Sequence, residues 1–282
     1  MLLLEGAGAV LLALRFCPEM GLRGIWYAVF HAISSFCNAG FDLMGAEAGA
    51  PYVSLTGHVG EPLVNLTVMG LIVVGGIGFL TWGDVREHKW HLRSYCLQSK
   101  LVLVTTALLI LLPALFFLCY EFRLPQWEGM TLGEKVLASL FQSVTPRTAG
   151  YNTVDLTQLT ESSQLVMILL MLIGGAPGST AGGFKVTTAA VFFLAARAVF
   201  RRREDLQSFG RRLPVETLRS ASAILLMYVG LFLLGGMAIS CVEGVPLLAA
   251  LFETASAIGT VGLTLGLTAV PAQMPQERIN VG

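Results

Sequence analysis

Three short segments of the sequence have residue types that could strip the water from a cation and bind it through backbone carbonyls. Each has small or polar residues, then a glycine, then a bulky apolar residue, and its glycine lies about 110 residues from the next. Glycine can adopt backbone angles that let successive carbonyls point one way. Rings of such carbonyls can replace the hydration shell of a potassium ion, and the lack of charged ligands favours a monovalent over a divalent cation. The candidate ligands are Asn38, Ala39, Gly40, Phe41, Thr148, Ala149, Gly150, Tyr151, Thr260, Val261, Gly262 and Leu263.

Each glycine belongs to a longer repeated pattern. A phenylalanine opens each copy, so the copies run Phe30–Phe41, Phe141–Tyr151 and Phe252–Leu263. The alternative is that each glycine merely ends a short helix, which is a common role for this residue. Three copies at nearly equal spacing favour the ion-binding interpretation. The repeated unit is then a span, a short re-entrant helix, an extended glycine segment and a second span.

The composition excludes a soluble enzyme, a disordered chain and a nucleic-acid-binding protein. Of the 282 residues, 55% are hydrophobic and only 13% are charged, against about 25% charged in an ordinary soluble domain. The mean hydropathy is +0.72. The 18 basic residues balance the 18 acidic ones, so no net field would attract a polyanion. The five cysteines are scattered singly, which indicates neither a zinc site nor a redox pair.

The apolar runs predict about five membrane crossings, since about 20 residues cross the hydrocarbon core. One crossing, Gln164–Phe200, is interrupted by the glycine-rich stretch Gly174–Gly183. Non-helical backbone at membrane depth survives only when it is buried in protein or lines a water-filled path. The other crossings are Met1–Phe16 (the tail of a span cut at its start), Leu63–Trp82, Leu101–Tyr120 and Ser220–Val242.

Three further apolar stretches are too short to span and predict re-entrant or interfacial helices. They are Ile25–Cys37, Leu132–Val144 and Pro246–Ile258. Most of the basic residues lie in the loops Asp84–Lys100 and Arg197–Arg219, which should therefore be cytoplasmic. The three short helices then all lie on the outer side of the membrane.

The motifs Phe36–Asp42, Gln142–Asp155 and Gly175–Lys185 resemble the Trk/Ktr/HKT superfamily of potassium transporters, and the bacterial KtrB-type pore subunits most of all. The resemblance implies an all-α polytopic membrane protein, with four span–pore helix–span repeats around one pore. It implies a transporter rather than an enzyme, located in the bacterial cytoplasmic (inner) membrane. The cargo would be K⁺, with Na⁺ as a coupled or stimulating ion. The implied partners are the lipid bilayer, a second copy of the chain and a cytoplasmic nucleotide-binding regulatory subunit of the KtrA or TrkA kind.

By the same resemblance, residues 1–82, 101–200 and 220–282 are the second, third and fourth repeats. The family has a first repeat before Met1 and a closing span after the fourth filter, so the chain is expected to be truncated. A non-conducting remnant or an assembly subunit is therefore an alternative function. The expected intramembrane gate comprises Gly174, Gly175, Ala176, Pro177, Gly178, Ser179, Thr180, Ala181, Gly182 and Gly183, followed by Lys185.

Two charged residues beside these elements are expected to support them. The positive charge of Arg147 excludes it as a cation ligand, so we expect it to pair with an acid such as Asp155 and brace the filter. Lys185 lies near mid-membrane, where a charge indicates function. Its ammonium could hold carbonyls of the broken helix, or an acid, in one gate state. The alternative for Lys185 is a side chain that snorkels to the membrane surface.

Two groups of charged side chains each allow two interpretations. The outer acids could form a negative vestibule that concentrates cations, or could simply be solvated. They are Asp42, Glu47, Glu61 and Asp155. The run Arg201–Arg203 is interpreted as an orientation signal, with contact to anionic lipid or the regulatory subunit as the alternative.

An intramembrane hydrolase is the competing function of another class. Ser179 lies in a glycine-rich break and His31 could act as its base. The predicted topology places Ser179 toward the cytoplasmic half and His31 on the outer side, which argues against this pairing. His31 is otherwise interpreted as a packing residue of a short helix.

Overall fold

The structure is a computed structural model, and it describes residues 1–45, 53–89, 91–202, 207–212 and 214–267. Three of the predictions above fall outside the described residues, namely those on Glu47, on Arg203 and on positions 268–282 of the fourth repeat. The described helices are α1 (Leu2–Met20), α2 (Leu22–Phe36), α3 (Pro62–Gly76), α4 (Phe79–His88), α5 (Leu97–Cys119), α6 (Leu132–Val144), α7 (Glu161–Ile173), α8 (Val186–Phe200), α9 (Val215–Glu243) and α10 (Leu247–Gly259).

The rest of the described chain is loops, short 3₁₀ turns and one small antiparallel strand pair. The strand pair joins Gln207–Ser208 to Arg211–Arg212. The 3₁₀ turns are Thr56–His58, Leu92–Ser94, Glu121–Arg123, Pro125–Trp127 and Leu156–Gln158. The expected all-α architecture is confirmed.

The three predicted short helices are confirmed as α2, α6 and α10. Local signals fix their ends. A capping box at the start of α6 joins Thr131 and Glu134, each satisfying a backbone N–H of the first turn. Gly21 has φ 61°, a left-handed angle that reverses the chain between α1 and α2. Each short helix ends just before one of the glycine segments, so it sets where that segment begins.

Two helices are long and apolar enough to cross a membrane by themselves. They are the segments Leu97–Arg123, around α5, and Glu216–Glu243, within α9. Both match predicted crossings. Many large apolar side chains of α5 and α9 are exposed, as expected of helices that face lipid. On their own, α1 and the two helices that flank the glycine-rich stretch, α7 and α8, do not meet this criterion in the described chain.

The predicted crossing over Leu63–Trp82 is formed by two helices, α3 and α4, rather than by one. The chain breaks between α3 and α4 and bends by 96°. Gly78 has φ 85°, and a Cβ at this position would lie 2.7 Å from the carbonyl oxygen of Pro177. The break is therefore caused by close packing against the glycine-rich stretch 174–183, which the apolar composition of the span does not reveal.

The core has two principal parts, and both include residues of the glycine segments. One part packs α1, α2 and α3 around Phe16, Phe36 and Val68, together with α6. The other packs α5, α7 and α10, with Phe117 and Phe252 fully buried. The glycine segments and the stretch 174–183 occupy the space that these helices leave between them.

Candidate functional site

The three glycine segments, defined as residues 38–41, 148–151 and 260–263, lie side by side. A Cβ built on Gly40 would lie 2.3 Å from the carbonyl oxygen of Ala149. A Cβ built on Gly150 would lie 2.2 Å from the carbonyl oxygen of Val261. Only glycine fits such close backbone approaches. The third glycine, Gly262, has open space beside it.

All three segments share one backbone pattern, in which two residues separated by one other residue have positive φ. A positive φ is uncommon for a residue other than glycine. Its recurrence at equivalent Asn and Thr positions therefore marks a shared conformation. In a regular strand successive residues face opposite ways, whereas this alternation can turn successive carbonyls to one side. The left-handed residues are Asn38 and Gly40 (φ 50° and 73°), Thr148 and Gly150 (70° and 87°), and Thr260 and Gly262 (54° and 91°).

The end of each short helix holds its segment from behind. In each case the second residue of the segment donates its N–H to a carbonyl of the preceding helix end. These bonds run from Ala39 to Ser34 (2.9 Å), from Ala149 to Thr145 (3.0 Å) and from Val261 to Ser256 (2.8 Å). Each segment thus continues directly from its helix, held by the backbone carbonyl of a Ser or Thr that lies four or five residues earlier.

In two segments, the carbonyl of the fourth residue accepts hydrogen bonds from side chains of the protein. The Phe41 carbonyl accepts hydrogen bonds from the Ser34 hydroxyl (2.8 Å) and from the Tyr151 hydroxyl (3.1 Å). The Tyr151 carbonyl accepts one from the Thr145 hydroxyl. A carbonyl oxygen has two lone pairs, so Phe41 has none left for an ion. The Tyr151 carbonyl keeps one lone pair, so these bonds argue against Phe41 alone among the predicted ligands.

The three glycines line one cavity of about 380 Å³. Asp42 and Asp155 are the charged residues in its lining, which makes the cavity negative. Burial raises the pKa of the Asp155 carboxyl, but hydrogen bonds from Thr157 and Gln158 outweigh it and leave the pKa below its ordinary value. Asp155 is therefore ionised at neutral pH. Glu61 does not join this group, because its carboxylate binds Arg15.

The stretch 174–183 lies at the opposite end of the glycine segments from this cavity. The N–H of Gly182 donates to the hydroxyl of Thr148 at 3.0 Å. The hydroxyl of Thr180 donates to the carbonyl of Phe36 at 3.1 Å. A Cβ on Gly182 would lie 2.3 Å from the Thr260 hydroxyl. The stretch therefore contacts the inner ends of all three repeats.

The side chain of Lys185 binds backbone carbonyls of the stretch 174–183. Its ammonium donates to the carbonyls of Ala181 (2.6 Å) and Gly182 (3.3 Å). The expected contact with carbonyls of the broken helix is confirmed. Lys185 has φ 84°, a conformation that costs energy for a residue with a side chain and must be held by its surroundings.

The predicted pairing of Arg147 with Asp155 is wrong. Arg147 is buried and donates to the Thr106 hydroxyl of α5 at 3.2 Å. Its own carbonyl accepts from the side-chain amide of Asn38, also at 3.2 Å. Asp155 instead accepts from Thr157 and Gln158. Within the described ranges no ion pair joins Arg147 to an acid, so it ties the segment 148–151 to α5 of the same repeat through a neutral partner.

Sequence reasoning missed a role for the residue that follows the phenylalanine at the start of each repeated motif. His31 and Glu253 each accept a backbone N–H from the chain beyond their glycine segment. The only sequence signal for this role is the equivalent position in each repeat, and it is hard to recognise because the residue types differ. The hydrolase arrangement is not formed, because the Ser179 hydroxyl donates to the Ala176 carbonyl. His31 bonds elsewhere.

Comparison with known proteins places the chain among transport proteins. The family described as "TrkH: Cation transport protein" matches residues 8–277. The chain is 40% identical over 272 residues to Ktr system potassium uptake protein B of Vibrio alginolyticus, covering 95% of this chain and 58% of that protein. It is 36% identical over 266 residues to the potassium/sodium uptake protein NtpJ of Enterococcus hirae, covering 93% and 57%.

A solved structure has the same fold. The potassium transporter TrkH from Vibrio parahaemolyticus matches with a TM-score of 0.73 and 20% identity, over 95% of this chain and 55% of that chain. At this identity the similarity concerns the fold alone. The chain spans rather more than half the length of the relatives that it matches.

Proposed function

Since the chain belongs to the TrkH family of cation transport proteins, we propose that it forms three sides of a potassium-conducting pore in a membrane. The family description and the names of the relatives are those of transporters, not of enzymes. In this proposal, potassium enters from the cavity beside the two aspartates, loses its water among the glycine segments and leaves past the stretch 174–183.

One observation carries the proposal. Gly40, Gly150 and Gly262 come from three separate repeats, have the same left-handed conformation and line one cavity. Backbone carbonyls bind potassium well because they replace its hydration shell without carrying a full charge. The proposed ligands are the carbonyls of residues 38–40, 148–151 and 260–263.

A fourth segment of the same kind would complete the ring. Gly40 and Gly150 each abut a neighbouring segment, whereas Gly262 has open space beside it. A second cavity of about 630 Å³ is lined by Asn38, Ala39, Thr260 and Val261, among others, from the two outer segments of the row. We propose that a fourth segment occupies this cavity. Below, "the assembled transporter" means this chain with whatever completes the ring.

The stretch 174–183 is proposed as the gate. It blocks the end of the glycine segments that lies opposite the entry cavity, and it is held there by a few hydrogen bonds. Gly174 and Gly183 have φ 67° and 75°, angles at which glycine gives little resistance to rearrangement. The gate opens in this mechanism when the contacts of Gly182 and Thr180 with the repeats break.

The remaining assignments follow from the relatives. Residues 1–82, 101–200 and 220–282 are proposed as three successive repeats. The relatives' names refer to a potassium uptake system and to sodium. We extend both to this chain and propose a sodium-linked potassium uptake system. From the resemblance of the sequence motifs we further propose the bacterial inner membrane, a dimer and a cytoplasmic nucleotide-binding regulatory subunit.

The test measures uptake by the assembled transporter with Gly150→Ala, using rubidium as the tracer for potassium and comparing it with sodium. The substitution puts a Cβ 2.2 Å from the Val261 carbonyl oxygen. We expect the ratio of potassium to sodium uptake to fall by roughly tenfold or more, as for the loss of over 1 kcal/mol of differential binding. Gly70→Ala is the matched control, because a Cβ there meets no atom within 4 Å. A Gly150→Ala transporter with unchanged uptake and selectivity would refute the proposal.

A further inference from the structure

We infer that the residue after the phenylalanine that opens each repeated motif anchors the chain where it leaves the glycine segment. These positions, called the anchor positions below, are His31 in α2, Gln142 in α6 and Glu253 in α10. The inference rests on the proposed function, because it assigns a positioning role in the proposed filter. None of these side chains is proposed to touch the ion.

Two anchors make the same contact. The N–H of Leu43, three residues after Gly40, donates to Nε2 of His31 at 3.4 Å. The N–H of Leu265, three residues after Gly262, donates to Oε1 of Glu253 at 2.9 Å. An imidazole and a carboxylate thus perform the same task at equivalent places in two repeats.

The common chemistry is that of a buried hydrogen-bond acceptor. Leu43 and Leu265 themselves lie outside any helix or strand, so their N–H groups need another partner. His31 is fully buried, and its Nδ1 bonds the Tyr27 carbonyl at 2.7 Å. Nδ1 must be the donor in that bond, which leaves Nε2 as the acceptor and fixes the neutral tautomer. Glu253 also accepts from the Thr264 hydroxyl at 2.6 Å.

The third repeat supplies the matching pair of groups. Gln142 is fully buried, and neither atom of its amide has a partner in the described part of the chain. Thr153 lies three residues after Gly150, and its hydroxyl is likewise buried and unpartnered. Buried polar groups are almost always hydrogen-bonded. We extend the inference to Gln142 by its position alone, since its amide and the Thr153 hydroxyl both have unmet bonding capacity.

An anchor at this place fixes the outer end of the filter. Each glycine segment is held at its inner end by the helix carbonyl described above and at its outer end by the anchor. Losing the anchor frees the outer end, so that the carbonyls can move toward a smaller ion or away from a larger one. The expected consequence is weaker discrimination between potassium and sodium, rather than loss of the pore.

The experiment compares acceptor and non-acceptor variants in the assembled transporter. His31→Leu and Glu253→Leu remove the acceptor, whereas His31→Gln and Glu253→Gln keep one, as Gln142 does naturally. The readout is the ratio of potassium to sodium uptake at equal amounts of protein in the membrane. We expect the Leu variants to lower this ratio by roughly tenfold, the equivalent of one buried hydrogen bond. The Gln variants should stay close to the unmodified transporter.

A neighbouring residue provides the matched control. Thr254 is buried in α10 beside Glu253, but its hydroxyl donates to the Ala250 carbonyl of its own helix. Thr254→Val therefore removes a buried hydroxyl without touching the chain beyond Gly262, and the uptake ratio should not change. If a Leu variant does not reach the membrane, Asn at the same position keeps a polar amide that is too short to reach the N–H. The Asn variants should lower the ratio as well.

The outcomes separate the anchor from the proposed function. Leu or Asn variants with an unchanged ratio would overturn the anchor assignment, and so would Gln variants that are as impaired as the Leu variants. If Gly150→Ala also leaves the ratio unchanged, the filter itself is misassigned. If Gly150→Ala lowers the ratio and the Leu and Asn variants do not, only the anchor inference fails.

Discussion

The backbone N–H of Gly182 donates a 3.0 Å hydrogen bond to the side-chain hydroxyl of Thr148. One bond thus joins the proposed gate directly to the first residue of a proposed filter segment. Thr148 has φ 70° and is the third-repeat member of the shared left-handed positions. In the proposed mechanism, opening the gate breaks this bond, so we expect the conformation of the filter to depend on the position of the gate.

Removing the Thr148 hydroxyl is therefore expected to favour the open gate. Thr148→Val keeps the shape of the side chain but leaves the Gly182 N–H without its partner, at a cost of about 1 kcal/mol to the closed state. We expect rubidium leak through the unstimulated assembled transporter to rise by about fivefold.

Thr148→Ser is the control for this prediction, because it retains the hydroxyl and should leak no more than the unmodified transporter. Equal leak for the Val and Ser variants would show that the bond does not hold the gate. Membrane amounts of all three proteins must be matched before the fluxes are compared.

Lys185 should stabilise the closed gate by holding two of its carbonyls. Lys185→Met preserves the length and apolar stem of the side chain but removes the ammonium that bonds Ala181 and Gly182. Charge-assisted hydrogen bonds are worth about 1.5–3 kcal/mol, so rubidium leak should increase more than in Thr148→Val.

A matched control is Lys135→Met, since Lys135 lies in α6 and outside the proposed gate. Its leak should equal that of the unmodified transporter. If Lys185→Met is as tightly closed as Lys135→Met, the lysine does not stabilise the gate.

Most of the helical architecture could be predicted from the sequence, because the positions and lengths of the apolar runs indicate where helices lie and which of them can span a membrane. The short helices follow from apolar stretches that cannot span a bilayer. The break at Gly78 could not be predicted, since the run over Leu63–Trp82 has no charged residue and is long enough to cross a membrane. Its cause is a tertiary contact with Pro177, about a hundred residues later in the chain.

The proposed filter could be predicted in outline, because glycine positions repeat visibly. The hydrogen-bond partners of its supporting side chains could not be predicted. The charge of Arg147 predicted an acidic partner, yet its guanidinium donates to a threonine hydroxyl on another helix. The anchor positions were hidden because His31, Gln142 and Glu253 share no residue type. Only the equivalent contacts to Leu43 and Leu265 reveal them as one position.

The two aspartates of the outer cavity are expected to raise the local concentration of cations. Asp42 and Asp155 line the cavity together with the three glycines. We expect Asp155→Asn to reduce potassium uptake by about threefold at low external potassium and low ionic strength, since one exposed charge contributes less than about 1 kcal/mol in water. The reduction should shrink as salt is added, because salt screens exposed charges. Glu128→Gln removes an exposed acid that does not line the cavity and should have no such effect.

The pH dependence of this contribution follows from the lowered pKa of Asp155. Hydrogen bonds from Thr157 and Gln158 favour the ionised carboxylate. The carboxylate therefore stays charged at neutral and mildly acidic external pH. The negative charge of Asp155 is lost only as the pH falls through a value below the ordinary pKa of an aspartate. The stabilisation that this carboxylate gives to the turn at Thr157 and Gln158 is lost over the same pH range. The uptake difference between the unmodified transporter and Asp155→Asn should thus be constant from about pH 5 to 8. A difference that disappears within this range, or one that salt does not diminish, would mean that Asp155 acts by something other than its charge.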